Sequence, residues 1–323
     1  MIEDVLAQPH QIADALWRVD AAAIPQSAAA GGLLVCGMGG SAIGADLAAA
    51  AIGARASRPM ATLRGYEIGS WVGPDTLVLC ASYSGTTEET LACFEAAGAA
   101  GAPRVALTTG GPLAERARAE GVPVIGVPSG LQPRAAVVYM TIGALECAAL
   151  CGAAPSLRDE IEGARPVLEQ VPESAGAEDI ARALSGTMPI VHGAGSTAAV
   201  ARRWKTQLNE NGKLPAFASE LPESNHNEIE GWKHGLDMAP LSAIFLRAPG
   251  LHPRLERRME LSAERLSALG APVVDVDAQG DSPVANLLSL VMIGDLVSLS
   301  LAELGGVDPE PVDAIESFKA ALG

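Results

Sequence analysis

Two short segments of the chain crowd glycines and hydroxyls where an apolar run hands over to a helix. The first is GMGGSAIG, residues 37–44, in which Gly39 and Gly40 let the backbone approach a ligand closely and Ser41 adds a hydroxyl. The second is SYSGTTEET, residues 82–90, which brings together Ser82, Ser84, Thr86 and Thr87 at a helix start. Unpaired amides and the helix dipole both favour an anion at such a place, and phosphate suits it. The alternative is plain helix capping, with Thr86 or Thr87 and Glu89 or Thr90 forming a capping box. Two such turns on one sheet favour the phosphate. GMGGSA lacks the GxGxxG spacing of a dinucleotide fold, and no GK[ST] follows to make a P-loop.

Acid–base residues follow. Glu210 lies between Asn209 and Asn211, and His226 lies between Asn225 and Asn227 in a polar loop. Arg134 follows Pro133 at a strand-to-helix junction, and Lys319 sits on a terminal helix. A carboxylate, an imidazole that titrates near neutrality and a fixed cation are the parts a proton-transfer site needs. Each has a plainer alternative. Glu210 could be a solvated acid at a helix end, His226 a surface residue, Arg134 a capping or pairing group, and Lys319 a partner of the helix dipole. Glu220, Glu223 and Glu228 stand near His226, but no HExxH-like spacing marks a metal site. His192 and His234 have no evident role.

The elements that must position these residues alternate. Residues 1–20 read as one amphipathic helix. Apolar runs at 33–37, 76–81, 104–109 and 122–128 read as strands separated by helices, which predicts a parallel, doubly wound sheet. Such a sheet binds ligands beyond the carboxyl ends of its strands, where both Gly/Ser turns fall. The stretch 152–178 is polar and punctuated by prolines, and a domain boundary is expected there. Beyond it the opening recurs, with MPIVHG (188–193), a Gly/Ser turn and the helix-like TAAVARRWKTQL. Strands are also expected at 241–246 and 271–277 and a charged surface helix near 252–270. The predicted layout is an N-terminal helix and linker (1–30), a first α/β domain (31–154), a linker or helix (155–178) and a second α/β domain ending in a C-terminal helix (179–323).

Composition narrows the class. The chain has 323 residues, 49% hydrophobic and only 3% aromatic, so an aliphatic core is available. The formal charge of −16 argues against nucleic acid and anionic membrane as partners. The five cysteines include no CxxC, and buried small side chains in a reducing, cytoplasmic setting are expected. The N-terminus has no basic region followed by an apolar block, so no signal peptide is expected. Apolar stretches at 135–154 and 284–304 carry Glu146 and Asn286, Asp295 and Glu303, and read as buried helices rather than membrane spans.

The succession GMGGSAIG, SYSGTTEET, NEN, ELPESNHNE and DPEPVDAIESFK, in that order over about residues 31–320, resembles the bifunctional phosphoglucose/phosphomannose isomerases of the sugar-isomerase (SIS) superfamily. The NEN and NHNE segments are the more specific part, because the SYSG motif marks SIS domains broadly. The resemblance implies an α/β fold of two SIS domains, each a doubly wound, mainly parallel sheet flanked by helices. It also implies a homodimer with the active site shared between subunits, a hexose 6-phosphate substrate and no metal or organic cofactor. Residue by residue, it makes Gly40 and Ser41 a sugar-contacting turn and Ser82, Ser84 and Thr87 a phosphate cradle. Arg134 becomes the enediolate-steadying cation, Glu210 the base, and His226, from the neighbouring subunit, the ring-opening group, with Lys319 assisting.

The chemistry of aldose–ketose isomerisation is consistent with that set. Opening a hemiacetal needs a proton donor and an acceptor; moving a proton between C1 and C2 needs one carboxylate in reach of both, with a cation for the developing oxyanion. The competing reading is a sugar-phosphate sensor without catalysis, which has no reason to keep Glu210, His226 and Lys319 together. An amidotransferase-type isomerase is disfavoured because no glutaminase-like segment stands ahead of the pair. The resemblance ties acceptance of the mannose epimer to a threonine near the C-terminal lysine. Residues 303–323 contain none, so the expectation is firmer for the glucose epimer.

Overall fold

A computed structural model of the chain describes residues 1–322. The chain divides into two compact units, one made of Leu6–Glu169 with Gly280–Leu288, the other of Met1–Val5, Gln170–Gln279 and the residues from Ser289 onward. The division at 169/170 falls within the interval 155–178. Two short pieces depart from the sequence layout: residues 280–288 belong with the first unit and residues 1–5 with the second.

The single N-terminal helix expected from sequence is two, α1 (Ile2–Leu6) and α2 (Gln8–Ala21). Pro9 stands in the first turn of α2, where its missing N–H costs nothing, and its ring disfavours a continuous helix through Ala7. After α2 the first unit runs β1 (Gly32–Cys36), α3 (Gly39–Ile52), β2 (Met60–Leu63), β3 (Thr76–Ala81), α4 (Glu88–Ala99), β4 (Arg104–Thr108), α5 (Gly111–Ala119), β5 (Val124–Gly126) and α6 (Val137–Leu150). Its five strands are all parallel, in the order β2-β1-β3-β4-β5, so the chain reverses direction across the sheet between β1 and β3. The central strands are buried along their whole length, which is why they read as unbroken apolar runs.

α7 (Arg158–Ser174) spans much of the expected linker, and α8 (Ala177–Leu184) follows. The second unit then repeats the plan with β6 (Met188–Ala194), α9 (Thr197–Glu210), β7 (Phe217–Leu221), α10 (Trp232–Met238), β8 (Leu241–Arg247), α11 (Pro253–Ala268), β9 (Val273–Asp277), α12 (Pro283–Leu304) and α13 (Asp313–Leu322). Its parallel strands lie in the order β7-β6-β8-β9. In each sheet the strand after the Gly/Ser-turn helix becomes the edge, so the weak sequence repeat is a structural one.

The two apolar stretches are interior helices. Of their most apolar windows, 83% and 89% of the residues are buried. Asp295 is tolerated in α12 because Arg203 of α9 meets it at 2.9 Å, with both side chains out of solvent. All five cysteines are buried and unbridged, and burial raises the Cys147 thiol well above its ordinary range.

Candidate active site

In the first unit, the turn between β3 and α4 folds its hydroxyls on one another. Ser82 Oγ shares a hydrogen bond with Thr87 Oγ1 at 2.8 Å and accepts the Gly85 N–H at 3.0 Å. Ser84 Oγ shares one with Thr86 Oγ1 at 2.9 Å and accepts the Thr86 N–H at 3.3 Å. Thr87 immediately precedes α4, yet its hydroxyl makes no cap bond. The capping-box alternative therefore fails here: the Thr87 hydroxyl is turned back toward Ser82, and the first-turn amides of α4 are not capped by it. Gly85 is obligatory in this turn. Its φ is +71°, and a Cβ there would lie 1.9 Å from the Gly110 carbonyl oxygen.

The other polar groups gather around this turn. Ser41 Oγ accepts the Tyr83 N–H at 3.3 Å, which joins the two Gly/Ser turns. The Tyr83 hydroxyl donates to the Pro128 carbonyl at 3.1 Å and accepts the Leu131 N–H at 2.9 Å, so it pins the loop leading to Arg134. Arg134 is only 4% exposed, and one guanidinium nitrogen donates to Gln132 Oε1 at 3.3 Å. Gly40 packs so closely on this segment that a Cβ would sit 3.2 Å from the Pro133 oxygen and 3.6 Å from Arg134 Cα. Gly40 and Ser41 thus join two segments, the one that carries Ser82, Ser84 and Thr87 and the one that carries Arg134. Together these segments combine hydroxyls, a helix N-terminus and a guanidinium that stays charged even when buried, which is a donor set for an anion. Tyr83 escaped the sequence reading, although its place between Ser82 and Ser84 in SYSG was a signal.

In the second unit, Glu210 ends α9, and α12 fixes that helix. Besides the Arg203–Asp295 pair, Trp204 Nε1 donates to the Leu290 carbonyl at 2.7 Å, and Asn211 Nδ2 donates to Ser298 Oγ at 2.9 Å. Asn209 Nδ2 donates to the Leu214 carbonyl at 2.9 Å. Through these amides Asn209 secures the turn after α9 and Asn211 its seat on α12. Residues 217–221 pair in parallel along β6 as the edge strand β7. Ala218 stands opposite Val191 and the buried Leu221 opposite Ala194.

His226 closes a short 3₁₀ turn, Glu223–His226, and its ring is exposed. Its neighbours are tied down on both sides. Asn225 Nδ2 donates to Ser262 Oγ of α11 at 2.9 Å, and Asn225 Oδ1 accepts from Arg258 at 3.3 Å. Asn227 Nδ2 donates to Glu223 Oε1 at 2.7 Å. Glu220 meets Arg202 at 3.6 Å rather than joining His226. Among the described residues no group of His, Cys, Asp and Glu is placed to hold a metal ion. Lys319 is exposed on α13, none of whose described residues is buried. Glu210, His226 and Lys319 therefore stand on three elements of one unit, while the hydroxyl turns and Arg134 stand on the other. His234 is a surface residue, 3.7 Å from Asp237.

Residues 173–322 match the model of the bacterial phospho-glucose isomerase C-terminal SIS domain. The chain is 37% identical over 303 residues to a bifunctional phosphoglucose/phosphomannose isomerase of Caldicellulosiruptor bescii, covering 90% of this chain and 89% of that protein. A protein of the same name from Aquifex aeolicus is 37% identical over 294 residues, covering 90% of each. Among solved structures, the C-terminal domain of glucosamine-fructose-6-phosphate aminotransferase from Francisella tularensis superposes with a TM-score of 0.71 at 15% identity, covering 95% of this chain and 96% of that one; it shares the fold. The chain belongs to the bifunctional phosphoglucose/phosphomannose isomerase family.

Proposed function

We propose that the protein interconverts glucose 6-phosphate and fructose 6-phosphate, and takes mannose 6-phosphate through the same enediol. The observation that carries this is the hydroxyl turn beside a buried arginine: Thr87 bonds Ser82 instead of capping α4, and Arg134 packs against Gly40. In this reading Ser82, Ser84 and Thr87 hold the phosphate and Gly40 and Ser41 approach the sugar. His226 and Lys319 exchange the protons that open the ring. Glu210 carries a proton between C1 and C2 while Arg134 stabilises the oxyanion. Every step is a proton transfer, so no metal or organic cofactor is proposed.

The working form is proposed to be a homodimer that shares active sites. What supports it is the family and the apolar stripe on α13, where Ile315, Phe318 and Leu322 are all exposed. A cytoplasmic setting is proposed on the five unbridged cysteines.

The deciding experiment assays the purified protein with glucose, mannose and fructose 6-phosphates, alongside Glu210→Gln. Wild type should turn over the glucose and fructose esters. Glu210→Gln keeps the shape of the side chain and loses the base, so kcat should fall on the order of 10²–10⁴-fold with substrate still binding. Near-normal turnover in that variant would remove Glu210 from its role. Absence of turnover by wild type, with sugar phosphate still bound, would replace catalysis by sensing.

A further inference from the structure

Lys213 ties the end of the helix that carries Glu210 to the segment that leads into the C-terminal helix. Its Nζ donates to the Glu210 carbonyl at 2.6 Å, to the Pro309 carbonyl at 3.4 Å and to the Pro311 carbonyl. An ammonium has three protons, and three carbonyl oxygens receive them. The Glu210 carbonyl lies in the last turn of α9, where carbonyls lack intrahelical partners and the dipole favours a cation. Pro309 and Pro311 have no amide hydrogens, so that segment cannot be fastened through their N–H groups and is held through its oxygens.

The backbone of Lys213 adds a second, independent observation. Its φ is +54°, in the left-handed region that side chains other than glycine avoid. Strain of this kind persists where the surroundings over-determine the conformation, and it gathers at functional sites. The three carbonyl bonds are what over-determine it here.

We infer that Lys213 is a positioning residue, which sets Glu210 in register with residues 309–311 and through them with α13, the helix bearing Lys319. The inference rests on Glu210 being the base. Lys213→Gly is the informative variant, because it deletes the ammonium while suiting the positive φ. Lys213→Asn tolerates the same backbone with a side chain too short to reach, and serves if the glycine variant melts. The expected result is a thermal midpoint near that of wild type, unchanged KM for fructose 6-phosphate and kcat lower by about 10²-fold, the effect of misplacing a reacting group by about 1 Å. Added n-butylammonium, which resembles the deleted side chain, should restore part of kcat in Lys213→Gly and none in Glu210→Gln. Wild-type kcat in both lysine variants, with Glu210→Gln inactive, would overturn the positioning role and leave the base in place. Wild-type kcat in Glu210→Gln would overturn both. A lowered thermal midpoint in both lysine variants, without rescue by the amine, would make Lys213 a structural clasp only and overturn the inference.

Discussion

The hydroxyls of Ser84 and Thr87 differ in what they already do. Thr87 bonds Ser82 and Ser84 bonds Thr86, so each oxygen is pre-oriented before any ligand arrives. Removing both in Ser84→Ala/Thr87→Ala should raise KM for a hexose 6-phosphate by at least tenfold, the loss of roughly 1.5–3 kcal/mol expected for hydrogen bonds to a charged group, with a smaller change in kcat. An unchanged KM would place the phosphate elsewhere. His192 makes a different residue-scale point. It is 4% exposed, stacked 4.6 Å from Phe245 and without a hydrogen-bond partner at either ring nitrogen. Burial lowers its pKa from 6.5 to about 4. The unfolded chain therefore takes up a proton between those values that the folded chain refuses. The stability due to a neutral His192 is complete above the unfolded value and is lost as pH falls from 6.5 toward 4. The loss is on the order of 3 kcal/mol. Urea unfolding at pH 7.5 and pH 4.5 should show a smaller pH-dependent loss in His192→Phe than in wild type. Equal losses would show that the histidine titrates normally.

At the scale of elements, α12 is the support of α9. Arg203 and Asp295 are both buried, so deleting one partner leaves an uncompensated charge and should cost about 3–5 kcal/mol. Asp295→Ala should lower the denaturant midpoint accordingly, and Asp295→Ala/Arg203→Met should recover much of the loss; equal destabilisation of single and double variants would refute the pairing account. Asp295 also shows what the sequence could and could not disclose. A carboxylate in an apolar run was legible as a sign of an interior helix, but its partner, 92 positions away, was not. The same contrast governs the strands. β1, β3, β4, β6 and β8 were legible because buried strands read as apolar runs, and the edge strands β5 and β9 because valine and isoleucine dominate VIG and VVDVD. β2 and β7, the opposite edges of the two sheets, were missed because their sequences, MATL and FASEL, mix polar with apolar residues. The hydroxyl turn was legible because its residues are contiguous. Tyr83, Asn225 and Lys213 act through bonds to distant segments, which no local pattern records.

For the whole molecule, the question is how many chains complete one active site. An acidic protein of charge −16 repels a sugar phosphate at long range, so binding depends on local donors brought together by folding. The hydroxyl turns and Arg134 belong to one compact unit, and Glu210, His226 and Lys319 to the other. Glu210 terminates a helix braced by α12, whereas His226 is exposed at the end of a turn anchored to α11 through Asn225. An exposed imidazole so placed can serve a neighbouring subunit across a twofold interface, as the proposed dimer requires. Mixing Glu210→Gln with His226→Ala, each nearly inactive, tests this after subunit exchange. If His226 acts on the partner, a mixed dimer has one site with both defects and one with neither. Half of a statistical mixture is mixed dimer, so about a quarter of wild-type activity should return. If Glu210 and His226 of one chain serve the same site, every site keeps one defect and no activity returns. A flat result with exchange confirmed by mass-tagged subunits, or full activity from a monomer at assay concentration, would rule out the shared site.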